Sequence, residues 1–309
     1  MGIGTETARL LLASARAGVS FTRSVTIGRQ NYFSSHAETS RLLREYGRRP
    51  GDYPRLLTGP RGGRYAEVFF EALGARQVES LDASNYEGAT IVHDMNQPLP
   101  RQWVGQFDAV YDGGTVEHVF NCQVALRNCM ELAKVGGHVL MTTPANNYCG
   151  HGFYQFSPEL FFRLFCPANG FELEWLVAME DGPRHRFYQV MDPAVIHARG
   201  PVINPFPVAL YVQARKVGEV PAAWTTPQQS DYRTTWEDRA AQARPADRVA
   251  PRRGLRSALE DFLLEHLPRL SRALEAFRFC QLNRQFSFRN RAAFKRLEKT
   301  PAGLKPRRG

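Results

Sequence analysis

Three aspartates, Asp82, Asp94 and Asp112, each follow a short apolar run, over residues 77–81, 89–93 and 107–111. Runs of this length, rich in β-branched and aromatic residues and bounded by turn residues, read as strands. Taken alone, an acid at a strand end is an ordinary turn residue. Three of them at successive strand ends instead mark the edge at which open α/β sheets bind ligands. Gly113 and Gly114 follow Asp112 directly, and backbone without Cβ atoms lets a ligand approach the main chain closely.

Proton-transfer chemistry could come from two histidines on the same edge. His118 follows the Asp112 turn and His151 lies in the loop 146–155, Asn-Asn-Tyr-Cys-Gly-His-Gly-Phe-Tyr-Gln, after the next strand. Imidazole titrates near neutrality and can take a hydroxyl proton. His151 alternatively braces its loop, which is dense enough in amides and rings to hold a polar, hydroxylated molecule. Glu117 stands at a predicted helix start, where acids are favoured regardless of function; it either caps that helix or shapes the site.

The elements that must position these groups can be read along the chain. Residues 7–17 carry apolar side chains at helical spacing until Gly18, and residues 24–27 form a first strand leading into Gly28. A helix is expected over 37–46 and another over 65–73, closed by Gly74. Between them, residues 48–64 are rich in Pro, Gly and Arg and read as a long loop, either a lid or a surface insertion. Val119, Val124, Leu126, Met130 and Leu132 predict a helix that Gly136-Gly137 stops, and a strand over 139–142 follows. Ser157-Pro158-Glu159 starts another helix, and residues 171–177 and 209–214 give two last strands.

Composition narrows the class. With 43% hydrophobic residues the chain is an ordinary globular one, and no apolar run approaches the ~20 residues needed to span a bilayer. Cys122, Cys129, Cys149, Cys166 and Cys280 are odd in number and contain no C-x-x-C pair, so neither a disulfide framework nor a zinc or other metal site is expected. Cys149 is expected to be a small buried or half-buried side chain. Reduced thiols and the lack of a signal pattern predict a cytoplasmic protein. The net charge of +10 is uneven: from Arg233 to Gly309 there are 19 basic and 8 acidic residues, or +11, leaving 21 and 22, or −1, for the rest.

Phe107-Asp108, Glu117-His118-Val119, Gly136-Gly137 and Thr143-Pro144 together resemble the middle of the class I S-adenosylmethionine (SAM)-dependent methyltransferases. In that family an F-D-x-V strand is followed by an E-H-V helix start, an L-x-x-G-G turn and a strand ending in T-P. The resemblance covers the sheet from about Val25 to Lys216. It implies an α/β fold with a Rossmann-like, seven-stranded, mostly parallel sheet, helices on both faces and a closing antiparallel hairpin, and it implies SAM as cofactor. It further implies that Asp82 accepts hydrogen bonds from the ribose hydroxyls, that Asp94 lies near the adenine amino group, and that Gly28, Asp112 and Gly113 flank the methionine portion. Where the family has several glycines in a row after the first strand, this chain has Gly28 followed by Arg29-Gln30-Asn31. Asp82 and Asp94 are only twelve positions apart, which leaves little room for the usual intervening helix.

The expected organisation is a methyltransferase-like domain over 1–220, a polar, Pro-containing linker over 221–253 and a basic helical extension over 254–309. In the extension, Ser257 to Glu260 has capping-box form, Leu259, Phe262, Leu263, Leu267 and Leu270 keep helical spacing, and Pro268 kinks or divides the helix. A basic, Phe-interleaved segment suits an anionic partner, a membrane surface or a nucleic acid; it equally suits an appendage packed on its own domain. The leading expectation is transfer of a methyl group to an oxygen or nitrogen of a small polar molecule or a glycan. A methyltransferase-fold binding protein without catalysis, suggested by the single glycine at Gly28, is the second. A nucleic-acid methyltransferase is the third, weakened because Asp112-Gly113-Gly114 stands where amino-directed enzymes of that kind carry an N/D-P-P-Y/F turn.

Overall fold

A computed structural model describes residues 2–58, 65–198, 200–230, 262–263, 265–277 and 287–297. The chain divides into two compact units. The larger comprises Met1–Val190, Phe206–Pro227 and Arg296–Gly309, and the smaller comprises Met191–Pro205 and Gln228–Lys295.

In the larger unit β1 (Gly2–Ile3) leads into α1 (Thr5–Arg16), whose Leu10, Leu11 and Leu12 are buried. Gly18, at φ +103°, follows the helix in a conformation that side-chain-bearing residues avoid. The strand β2 (Arg23–Ile27) is followed by β3 (Asn31–Tyr32), which pairs with β1 in a small parallel ribbon. A reciprocal capping box between Ser35 and Glu38 starts α2 (His36–Glu45). The segment expected to be a structureless loop contains α3 (Pro54–Thr58), anchored by buried Leu56; its single apolar anchor was too little periodicity to be read. The helix α4 (Glu67–Leu73) ends at left-handed Gly74 as expected.

The sheet continues with β4 (Gln77–Asp82), β5 (Ile91–Val92) and β6 (Phe107–Asp112). β5 is two residues long, shorter than the expected 89–93, because the chain turns away after Val92. The helix α5 (Cys122–Leu132) is preceded by a 3-10 turn over Val116–His118, so Glu117 and His118 lie before the helix and do not open it. Next comes β7 (Ala133–Asn146), and this corrects the role given to Gly136-Gly137: they lie within a strand. A Cβ on Gly137 would stand 2.8 Å from the Asp108 carbonyl oxygen and 2.9 Å from that of Phe107. The glycine is required by the close approach of β6, where the pairing shifts register.

Ser157 caps α6 (Pro158–Leu164), and β8 (Phe171–Glu180), β9 (Arg186–Val190) and β10 (Val208–Lys216) complete the unit. These strands run in the order β9-β8-β10-β7-β6-β2-β4-β5 within a nine-stranded sheet whose remaining strand, Phe294–Arg296, forms the edge next to β9. Pairings from β7 through β5 are parallel, and β10 lies antiparallel between β7 and β8. In sequence order of the seven expected strands this is 3-2-1-4-5-7-6, a doubly wound sheet closed by antiparallel strands. The eighth, β9, is an addition antiparallel to β8. The core on one face is built from Leu10, Phe21, Phe69, Phe70, Tyr111, Leu140 and Trp175.

The smaller unit holds α7 (Pro193–Ile196), capped by Asp192, and α8 (Pro268–Phe277). Pro268 is the first residue of α8, so it divides the predicted helix. Phe262, Leu267, Leu270 and Leu274 are exposed; Ser257 to Glu260 lie outside the described residues. Among the described residues no helix is long and apolar enough to cross a membrane.

Candidate active site

Strand register brings the first set of predicted residues to one level. Ile27 pairs with Leu81 on one side and with Asp112 on the other, so Gly28 stands beside Asp82 and beside Gly113. All three strand ends are parallel and point the same way, which is why acids separated by thirty residues in sequence share an edge. Gly28 adopts φ +69° and its N–H donates to the Leu81 carbonyl at 2.7 Å. Asp82 is half-buried at the end of β4. Asp94 lies two residues beyond Val92, the β5 residue that pairs with Asp82. It is exposed, and its Oδ1 accepts from the Asn96 backbone N–H at 2.9 Å and side-chain amide at 2.8 Å, which hold its carboxyl below the usual range. Its geometry is that of a turn-forming aspartate.

The segment Arg29-Gln30 occupies the place of the family's further glycines. Gln30 is buried; its Nε2 donates to the Ile27 carbonyl at 2.7 Å, leaving Oε1 without a partner. A Cβ on Gly113 would collide with the Gln30 amide, so Gly113 is required by this packing. Arg29 bonds Glu67 Oε1 and the Glu87 carbonyl, each at 2.7 Å, and stacks on the Tyr65 ring with its guanidinium 3.7 Å from the centroid.

Two carboxylates beyond β6 are removed from water without a full set of donors. Asp112 is fully buried; Oδ1 accepts from Thr115 N–H at 2.9 Å and Oδ2 has no partner. Burial pushes its carboxyl up to about 7. Glu117 is 1% exposed, with Oε2 unpartnered, and burial followed by the nearby Asp112 charge pushes it up to about 8. A solvated cap would be exposed, so Glu117 is the site-shaping alternative. Gln30 Oε1 is also buried without a partner. The Gln30 amide lies against Gly113, and a would-be Cβ on Gly114 stands 3.1 Å from Glu117 Oε1.

The loop after β7 folds back over this edge. Phe153 and Tyr154 N–H groups donate to the Glu117 carbonyl at 2.8 and 3.2 Å, and the Tyr154 hydroxyl donates to the Phe120 carbonyl at 2.6 Å. Gly152 permits the approach, since a Cβ there would lie 2.9 Å from the Glu117 carbonyl oxygen. The result places the His118 and His151 rings edge to face, centroids 5.0 Å apart, with His151 Nε2 3.7 Å from Glu117 Oε1. Both histidines are exposed. Burial, then its neighbour His151, holds His118 below the ordinary imidazole value, in the neutral form that can accept a proton. Exposed Phe120 and Phe153 stand beside the pair, ring centroids 6.3 Å apart. Cys149 is exposed, contrary to the expectation of burial, because its loop extends past the strand end.

The strand order and this edge define the class by architecture: the larger unit is a Rossmann-like, doubly wound α/β sheet with candidate ligand groups at its strand ends. No protein-family model matches the sequence, and no curated protein matches it significantly. Among solved structures the chain is similar to a candidate methyltransferase of Bacillus halodurans C-125, at 14% identity over 67% of this chain and 99% of that one, TM-score 0.38. It is similar to the N-methyltransferase NodS of Bradyrhizobium japonicum in complex with S-adenosyl-L-homocysteine, at 12% identity over 69% and 87%, TM-score 0.37. A third is the branched-chain polyamine synthase of Thermus thermophilus with N4-aminopropylspermidine and 5′-methylthioadenosine, at 14% identity, covering 73% of this chain and 59% of that one, TM-score 0.37.

Proposed function

We propose that this protein is a SAM-dependent methyltransferase acting on an oxygen or nitrogen of a small polar molecule or glycan. The observation that carries the reading is the set of buried acceptors without donors at one strand-end edge: Asp112 Oδ2, Glu117 Oε2 and Gln30 Oε1. Unpaired buried acceptors cost about 1 to 3 kcal/mol each, more when charged. A ligand carrying an ammonium and a sulfonium supplies the missing positive charge and donors, so these residues fit SAM. Asp82 would hold the ribose hydroxyls, since a carboxylate can accept from both. Gly28 and Gly113 would flank the methionine portion, with Asp112 behind it. Asp94, committed to its own turn, is left out of this assignment.

SAM supplies an electrophilic methyl group for in-line displacement, and the chain's task is then to hold the acceptor at attack distance. Neutral His118 sits at the mouth, where it can take a proton from an acceptor hydroxyl, and His151 faces it against Glu117. Phe120 and Phe153 offer apolar faces on which an acceptor ring can rest. The basic tail, +11 from Arg233 onward, would attract an anionic surface or polyanion.

Calorimetric titration with SAM and with its demethylated product tests the reading: both should bind, one per chain, and binding of neither would exclude an active enzyme of this class. A second reading, a binding protein without catalysis, is favoured by Gln30, whose buried side chain fills the loop where the family has glycine. Binding of the demethylated product without turnover on any hydroxylated or amino acceptor would support it.

A further inference from the structure

We propose that Glu117, His118 and His151 form a binding site for one divalent transition-metal ion of the zinc class. One ligand atom from each of the three lies within 4.8 Å of the other two. Ligands about 2.1 Å from a shared tetrahedral ion stand roughly 3.4 Å apart, and Glu117 Oε1 to His151 Nε2 is already 3.7 Å. The remaining closure needs only small rotations of two exposed imidazoles. Two imidazoles and one carboxylate are the donor set of several three-ligand metal centres and favour zinc, cobalt, iron or nickel over magnesium and calcium.

The site is built, and does not arise from a chance surface cluster. Glu117 is 1% exposed and its Oε1 stands 3.7 Å from His151 Nε2, so a buried carboxyl group borders the gap between the rings. The loop carrying His151 is fastened to the segment carrying the other two ligands by the Phe153 and Tyr154 bonds to the Glu117 carbonyl. Gly152 and Gly114 pack against Glu117 at distances that leave no room for a Cβ to sit at ease. Three protein ligands leave a coordination position open, and the exposure of both rings turns it outward, where an acceptor oxygen can bind. The ion's service to methyl transfer, in which a metal-bound acceptor oxygen would lose its proton more readily and His118 would serve as ligand in place of proton acceptor, rests on the function proposed above; its binding does not.

The test uses the full-length protein after chelation and desalting, titrated with Co2+ followed by visible absorption and with Zn2+ by calorimetry. One Co2+ per chain, displaced by Zn2+ and not by excess Mg2+, is expected. His118→Ala and His151→Ala should each weaken binding tenfold or more with unchanged circular dichroism, and His185→Ala, away from the site, should leave it unchanged. If either alanine variant loses its fold, His118→Gln and His151→Gln replace them with the same expectation. Failure of Co2+ and Zn2+ to bind stoichiometrically would overturn the proposal. So would binding that survives both histidine changes, or that disappears with Cys149→Ser instead. SAM titrated into the same samples separates the two ideas: SAM binding without metal binding sinks only the metal site, and the reverse sinks only the methyltransferase reading.

Discussion

Two acid clusters in the larger unit, one around half-buried Glu174 and one around buried Asp112 and Glu117, meet desolvation in opposite ways. Glu174 on β8 accepts from Gln213 Nε2 at 2.7 Å and lies 3.3 Å from His138 Nε2 and 3.6 Å from Arg215 Nε. Gln213 Oε1 in turn accepts from Ser14 Oγ, which lies 2.7 Å from the Tyr211 hydroxyl. Burial pushes Glu174 up, but the hydrogen bonds from His138 and Gln213 outweigh it and hold its carboxyl below the usual range. Asp112 and Glu117, at the end of β6, have no such donors for one oxygen each and are pushed up to about 7 and 8. In the first cluster the chain supplies the donors that hold the Glu174 carboxylate, and the network ties α1, β7, β8 and β10 together. The second is incomplete, and the natural completion is a cationic ligand.

The largest effect should fall on turnover. His118→Ala or His151→Ala should lower it about a hundredfold or more while leaving SAM affinity near the parent value, since a proton acceptor acts on the acceptor molecule only in the chemical step. Full activity in both variants would mean that positioning alone suffices.

Next are opposite stability effects that sharpen the contrast. Gln213→Leu strips partners from Glu174 and Ser14 and should cost about 1 to 3 kcal/mol in chemical denaturation. Asp112→Asn and Glu117→Gln should instead stabilise the ligand-free protein at neutral pH. Both acids keep their protons to higher pH in the folded chain than in the unfolded one. The folded state therefore binds more protons between about pH 4 and pH 8, and stability falls as pH rises through that window. Each substitution should flatten that fall; destabilisation by both at pH 7 would break the contrast.

A smaller effect is expected at Asp82, where Ala should weaken SAM binding by roughly 1.5 to 3 kcal/mol with normal circular dichroism. Unchanged affinity would remove Asp82 from the ribose role. Smallest of all should be removal of the tail. The Arg127 guanidinium donates to the Pro221 and Ala222 carbonyls, and Thr225 N–H donates to Asn169 Oδ1 at 2.7 Å, so the cut belongs after Pro227. The truncated chain should still bind SAM but lose salt-sensitive retention on anionic vesicles or nucleic acid. Retention equal to the parent's would clear the tail of that role.

The sheet was legible because parallel strands announce themselves as apolar runs, and parallel register then forces Gly28, Asp82 and Gly113 to one level. The turn that Asp94 makes was not legible, because a two-residue strand turns at once into an Asn96-bonded loop, and local hydrogen bonding of this kind leaves no periodicity to read. β9 went unread although Phe187, Tyr188 and Val190 carry a strand signal. Glu117 and His151 are 34 positions apart; their meeting depends on Gly152 letting the loop hang from the Glu117 carbonyl, which no spacing rule encodes. Gln30 was passed over because an amide in a loop reads as solvated, and only the fold shows it buried beneath Gly113.

If SAM is the ligand that completes Asp112 and Glu117, its binding must be coupled to their protonation. Calorimetry of SAM binding at pH 7, in buffers of different ionisation enthalpy, counts the protons exchanged. Positive charge arriving beside acids that hold protons to about 7 and 8 should drive those protons off. Net proton release on binding is expected, reduced in Asp112→Asn and in Glu117→Gln. Binding with no proton release, or release unchanged in both variants, would show that these acids do not face the ligand's charge.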